Sequence, residues 1–376
     1  MLLLDQIKHR WTGSISFRKR QFQASKNQWI WKWHRKGDLE IGILQPFVRP
    51  FGLSFDKNGN AFVADFDGHR VIRFSPNWEF SGWLGHAKNT KQQINGWSKE
   101  KGLAVESAMP GGFSRPHNIT FDRDDNIIVT ELTNSRLQRF SEDGRHLGYI
   151  GEGETGSPPL KGPVTSCYCD DGYLYVTDFL GHCFHRYTHD DRFVDWMAIS
   201  GGGFSSTGLP PKERQPNQFF KPHVARLNKD GFILVVDTLN HCVIRFDSNG
   251  SYAGWIGAKI GGGLTDGWEM GGRAKISSEP GGFKNPSSLQ FTPDGQMIIA
   301  ESLNNRIQKF SHDGNFLGWI GEKDGGGVTI SWEKQGFSKM GNKPGAFNHP
   351  FDAVLHNDVL YVVDTENGRL QAIRGL

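Results

Sequence analysis

The 376-residue chain contains no apolar run near the roughly 20 residues that a membrane-spanning helix needs, and its opening Met1-Leu2-Leu3-Leu4 is broken at once by Asp5 and Lys8. Neither a spanning helix nor a signal peptide is read from it. Cysteine is scarce, at four residues, so no disulfide framework is expected, and reduced thiols in a cytoplasmic protein follow. Neither sign of charge dominates: 43 Lys and Arg face 40 Asp and Glu, for a net +3. With 36% hydrophobic and 12% aromatic residues, that balance argues against a disordered chain. Gly-x-Ser-x-Gly, P-loop and His-Glu-x-x-His motifs are all missing. The triple glycines at 201–203, 261–263 and 325–327 precede no Lys-Ser/Thr and no helical pattern, so they read as entries to loops. What is abundant is glycine, 48 residues, about twice the usual ~7%. Together with 12 Trp and 27 Phe it points to many short strands and tight turns, an all-β chain.

Charge is unevenly placed. Residues 1–36 hold nine basic side chains, among them Arg18, Lys19 and Arg20, against Asp5 alone, so this arm carries +8 and the remainder −5. Interleaved with Trp11, Trp29, Trp31 and Trp33, the arm suits an acidic protein surface, nucleic acid or peripheral contact with anionic lipid; the plainer reading folds it back over the acidic body.

An internal repeat sets the architecture. Six segments start at Pro50, Pro116, Pro163, Pro222, Pro286 and Pro350, and each runs through an apolar strand and a turn to a second strand ending in Asp65, Glu131, Asp178, Asp237, Glu301 or Asp364. Five residues later stand Arg70, Arg136, Cys183, Cys242, Arg306 and Arg369, so two repeats exchange Arg for Cys. Fourth strands open at Gly82-Trp83, Gly148-Tyr149, Gly254-Trp255 and Gly318-Trp319, and Asn-Gly or Asp-Gly pairs such as Asn58-Gly59 and Asp313-Gly314 mark hairpins. Four-stranded antiparallel units that cannot bury both faces alone must stack, and six arranged radially make a six-bladed β-propeller. The sixth repeat ends at Leu376 before its outer strand; residues 36–44, laid with Gly42 on Gly318, supply it. The expected organisation is a basic aromatic arm over 1–36 and a propeller over 37–376.

The Pro, apolar strand, Asp/Glu-x-x-Asn-x-Arg pattern resembles the NHL-repeat family of six-bladed propellers, most closely in Glu301-Ser302-Leu303-Asn304-Asn305-Arg306 and Glu131-Leu132-Thr133-Asn134-Ser135-Arg136. The resemblance covers roughly residues 38–376 and implies the fold more than any activity, because the family holds protein-binding, RNA-binding and lyase members. In such a propeller the residue after each repeat proline stands at the channel mouth: Phe51, His117, Val164, His223, Ser287 and Phe351. The amidating-lyase propellers, which look similar here, hold zinc on Pro-His pairs of alternate blades. That likeness implies His117 and His223 as metal ligands, with zinc or calcium in the channel. The third position has Phe351, with His349 displaced to the other side of Pro350. Two imidazoles make a weak zinc site unless His349 or a carboxylate joins them, and the plainer reading leaves both hydrogen-bonded in a hydrated channel with no cofactor.

The six acids, present in every repeat, suit hydrogen bonds that tie turns and blades together better than a cation ring. Cys167 and Cys169 lack the spacing of a zinc or redox motif, and all four cysteines read as inert. Three long connections at 86–112, 258–282 and 322–346 share a central Trp (Trp97, Trp268, Trp332) and a Pro-Gly-Gly/Ala-Phe close. With Lys99, Lys101, Arg273 and Lys275 they could offer a stacking, basic rim to a partner, unless each Trp packs onto its own blade. The reading is a non-enzymatic interaction or assembly module that binds a macromolecule, foremost a protein, through its long-loop face and arm. A metal-assisted lyase or hydrolase stands second and RNA binding third.

Overall fold

The computed structural model describes residues 31–87, 96–99, 104–151, 157–199, 201–208, 210 and 218–376. Arg18, Lys19, Arg20 and Lys101 lie outside them. The chain is all-β, with six antiparallel sheets arranged as the blades of a propeller. Every repeat proline opens an inner strand, as in Pro50–Phe55, Pro116–Phe121 and Pro286–Phe291, and every second strand ends on its acid. Second strands such as Ala61–Asp65 and Ile233–Asp237 are buried along their whole length, because a middle strand of a stacked blade has neighbours on both faces. Apolar clusters fill the gaps between adjacent blades; Val63 and Ile72 of blade one meet Tyr361 and Leu370 of blade six across the closure.

Closure follows the repeat. A strand we label β1 (Lys32–Lys36) precedes β2 (Leu39–Leu44), and β2 pairs with the last strand, Arg369–Arg374. Gly42 stands opposite Ala372 just as Gly318 stands opposite Lys309, which is the register laid down by aligning the two glycines. β1 is a fifth strand that the repeat does not contain; it covers the outer edge of β2 and brings Trp31 within 4.9 Å of Trp78. The end of the basic stretch is therefore sheet: Lys32, Arg35 and Lys36 lie on this exposed edge.

The acids tie loops to blades. Asp65, Glu131, Glu301 and Asp364 are fully buried and pair with Arg70, Arg136, Arg306 and Arg369 at 2.6–3.2 Å. Each also accepts main-chain N–H groups or side-chain amides, as Asp65 does from Val48 and Arg49 and Glu301 from Asn304 and Gln308. Arg306 in turn donates to the carbonyls of Ser278, Glu279 and Gly282, so the motif clamps the loop that leads into its own blade.

The long loops double back along the blade edges. Ser98, Glu269 and Glu333 bridge to Trp83, Trp255 and Trp319 of the outer strands. The fourth strands start two residues before the expected glycines, at Phe80 and Phe316, and the glycine inside each admits the loop: a Cβ on Gly318 would lie 2.7 Å from the Trp332 side chain, and one on Gly82 2.9 Å from that of Trp97.

Candidate functional site

Inner strands begin, and outer strands end, at the same end of the wheel, so the channel mouth and the long loops share it. At the axis His117 and His223 come together, with ring centres 4.9 Å apart, and both are buried. Phe51 and Phe351, from blades one and six, pack at 4.1 Å; Phe351 lies 5.2 Å from His223 and Phe51 4.8 Å from His117. Phe66 stacks on Phe51 at 4.2 Å and completes an aromatic plug. Behind it the channel void is about 20 Å³, room for a single water.

His349 is not part of this pair. It precedes Pro350 in the left-handed region, at φ 51°, its Nδ1 lies 2.9 Å from Asn348 Oδ1, and its backbone N–H donates to Asn305. In blades one, two and four the residue before the repeat proline is a basic one set against an aromatic ring near the mouth. Arg49 lies over Phe51 and Phe66 of the plug and Arg115 over Phe66, while Lys221 lies over Phe179 beside His223. The sequence reading missed these basic residues, whose signal was the position preceding the proline in blades one, two and four.

The two axial imidazoles are neutral. Burial pushes His223 down to about 3; burial and, after it, the His223 charge hold His117 well below the ordinary range. Each ring hydrogen-bonds the backbone of the next blade, His117 at Val164 and His223 at Ser287. Nδ1 of His223 has no partner among the described residues. In the unfolded chain both rings take protons near pH ~6.5. The unfolded state then binds more protons, so stability falls as pH drops from about 6.5 toward 3. His223→Asn is expected to flatten that acid limb by about 1.4 kcal/mol per pH unit, read from urea unfolding between about pH 6 and 4. An unchanged slope would mean that His223 titrates in the folded protein.

The three loop tryptophans are half-buried and pack on blade clusters. Trp97 and Trp268 donate their indole N–H to the carbonyls of Glu142 and His312 on the next blade, and Arg73, Arg245 and Lys309 lie over the three rings. Lys99, Arg273 and Lys275 are exposed, the latter two at an open groove with Ile260 and Met270. The exposed apolar residues of these loops carried no repeat signal in the sequence.

Fold and axis together define a six-bladed propeller with a plugged mouth and a buried histidine pair. No protein-family model matches the chain. It is similar to peptidyl-glycine alpha-amidating monooxygenase A of Xenopus laevis, 28% identical over 204 residues, covering 53% of this chain and 19% of that protein. The peptidylglycine alpha-amidating monooxygenase of Rattus norvegicus is 28% identical over 162 residues, or 42% and 14%. The match thus spans about a fifth or less of these relatives. Among solved structures, a putative gluconolactonase superposes with TM-score 0.54 at 13% identity over 92% of this chain and 97% of its own. Virginiamycin B lyase from Staphylococcus aureus gives 0.50 at 11% over 90% and 100%. These structural likenesses show the fold.

Proposed function

We propose that the protein is a non-enzymatic interaction module that docks a partner protein on the loops after blades one, four and five. One observation carries this reading. Among the described residues, every large apolar side chain more than half exposed lies on these loops: Met109 on the first, Ile260, Met270 and Ile276 on the second, Ile330, Phe337 and Met340 on the third. Apolar side chains gathered on one loop set, beside Arg273 and Lys275, have the composition of an interface core with a polar rim. The likeness of the repeats to NHL propellers and the four free cysteines support a cytoplasmic scaffold. The basic arm would add a second contact.

Native co-purification tests it. Wild-type protein is expected to hold its partner at constant stoichiometry, and a variant with Ile260→Ser, Met270→Ser, Phe337→Ser and Met340→Ser to lose it by about tenfold or more at unchanged thermal stability. Equal recovery by the variant, or a wild-type chain that stays alone, overturns the reading.

A metal-assisted lyase is the second reading, favoured by the 4.9 Å histidine pair and by the similarity to the amidating enzymes. Phe351 in the third ligand position and the plug over the mouth weigh against it, because a catalytic zinc takes three protein ligands and an open position. Stoichiometric metal lost on His117→Ala and His223→Ala would promote it.

A further inference from the structure

Blade three departs from the clamp used by its neighbours. In blades two, five and six the buried acid is followed by Arg and, two residues further, by Gln138, Gln308 or Gln371, and both side chains reach the loop ahead of the blade. The corresponding residues of blade three are Cys183 and His185, and the acid is Asp178. All three side chains are buried, at 1% exposure or less. Cys183 Sγ lies 3.2 Å from His185 Nε2, and that nitrogen lies 4.0 Å from Asp178 Oδ2. The three donor atoms fall within 4.8 Å of one another, the one place among the described residues where three such groups converge. On the other side of the ring, His185 Nδ1 has no hydrogen-bond partner among those residues.

Blade four is an internal control. Cys242 also replaces Arg there, but the residue two further on is Ile244, so loss of the guanidinium alone creates no such cluster. It is His185, two residues along the strand from Cys183 and on the same face, with Cys183 itself opposite Asp178 across the hairpin, that assembles it.

We propose that Asp178, Cys183 and His185 bind a zinc ion through three protein ligands, with a water in the fourth position, in the place where sister blades lodge an arginine. With Zn–S near 2.3 Å and Zn–N and Zn–O near 2.0–2.2 Å, a tetrahedral ion holds sulfur and nitrogen about 3.6 Å and nitrogen and oxygen about 3.4 Å apart, against 3.2 and 4.0 Å here, so binding draws the Asp178 carboxylate inward by about half an ångström. A thiol, an imidazole and a carboxylate together suit zinc better than calcium or magnesium, which take oxygen alone. Binding releases the Cys183 thiol proton to solvent. Two positive charges then face the Asp178 carboxylate and the Cys183 thiolate, so the buried site is neutral overall. The ion would fix Asp178, which accepts the Lys161 and Gly162 N–H groups at 2.8 Å and so sets the start of the inner strand Pro163–Tyr168.

The test is metal content of the full chain, loaded with zinc under reducing conditions and dialysed. About one zinc per chain is expected, retained in His117→Ala/His223→Ala and lost in Cys183→Ser and in His185→Gln. Cys183→Arg/His185→Gln, which copies the Asp, Arg and Gln of blade six, serves as a second metal-free variant. Cobalt in place of zinc should give near-ultraviolet thiolate-to-metal absorption in the wild type. Less than about a tenth of an equivalent after loading, zinc that survives in both single variants, or a cobalt complex without the thiolate band overturns the site. The last readout needs no variant to fold, and loss on His117→Ala/His223→Ala instead would point to the axial pair.

Discussion

A chain that begins at Gln45 is expected to lose cooperative unfolding and to aggregate, although it keeps every repeat proline and every acid of the motif. It lacks β2, and with it Leu39, Ile41, Ile43 and Leu44, all buried at 8% exposure or less. At about 1.5–3 kcal/mol for each buried side chain, the loss is on the order of 6–12 kcal/mol. A domain's net stability is only about 5–15 kcal/mol. The truncation also leaves the main-chain groups of Arg369–Arg374 as an open edge, where β2 had paired from Leu370 to Arg374. A chain beginning at Trp31 retains both strands and should unfold as the full protein does. Circular dichroism melts and light scattering of the two truncations decide it; a Gln45 chain that melts like the longer one would show that the ring does not depend on this closure.

Arg306→Met is expected to cost about 3–5 kcal/mol, among the largest effects of any single substitution in the chain. Arg306 and Glu301 are both fully buried, and the guanidinium reaches Glu301 at 3.2 Å as well as three loop carbonyls. Removing it strands a carboxylate, which burial already pushes up in pKa and which Arg306 holds down. Adding Glu301→Gln should recover part of the loss, because the uncompensated charge disappears. Arg192→Ala breaks a pair with Asp190 that is mostly exposed and screened by water, and it should leave the unfolding midpoint unchanged. Urea unfolding of the four proteins reads the contrast. Equal effects of the buried and exposed substitutions would remove the clamp as a source of stability.

Much of the candidate site was legible in advance for one reason: each blade repeats the same local instructions. An interval from proline to acid of 15 residues in five repeats and 14 in the sixth fixes strand length, so the position after the proline projects to the axis whatever the sequence elsewhere. That is why His117, His223 and Phe351 could be placed at one mouth. His349 failed to join them for the same reason, since a residue on the other side of Pro350 stands at the position that Arg49, Arg115 and Lys221 hold in their blades. Cys183 was visible as a replaced arginine. Its meaning was not, because His185 matters only through the side chains packed around it.

By itself, then, the amino-acid order determined the number of blades, the strand that closes the ring and the residues offered to the channel, all of which follow from periodicity and register. Tertiary packing alone decided that the loop tryptophans turn inward while Met109, Ile260, Met270 and Phe337 stay in solvent. It also decided that three phenylalanines seal the mouth and that an acid, a thiol and an imidazole meet in blade three. Burial depends on what arrives from other parts of the chain, and no local pattern encodes that.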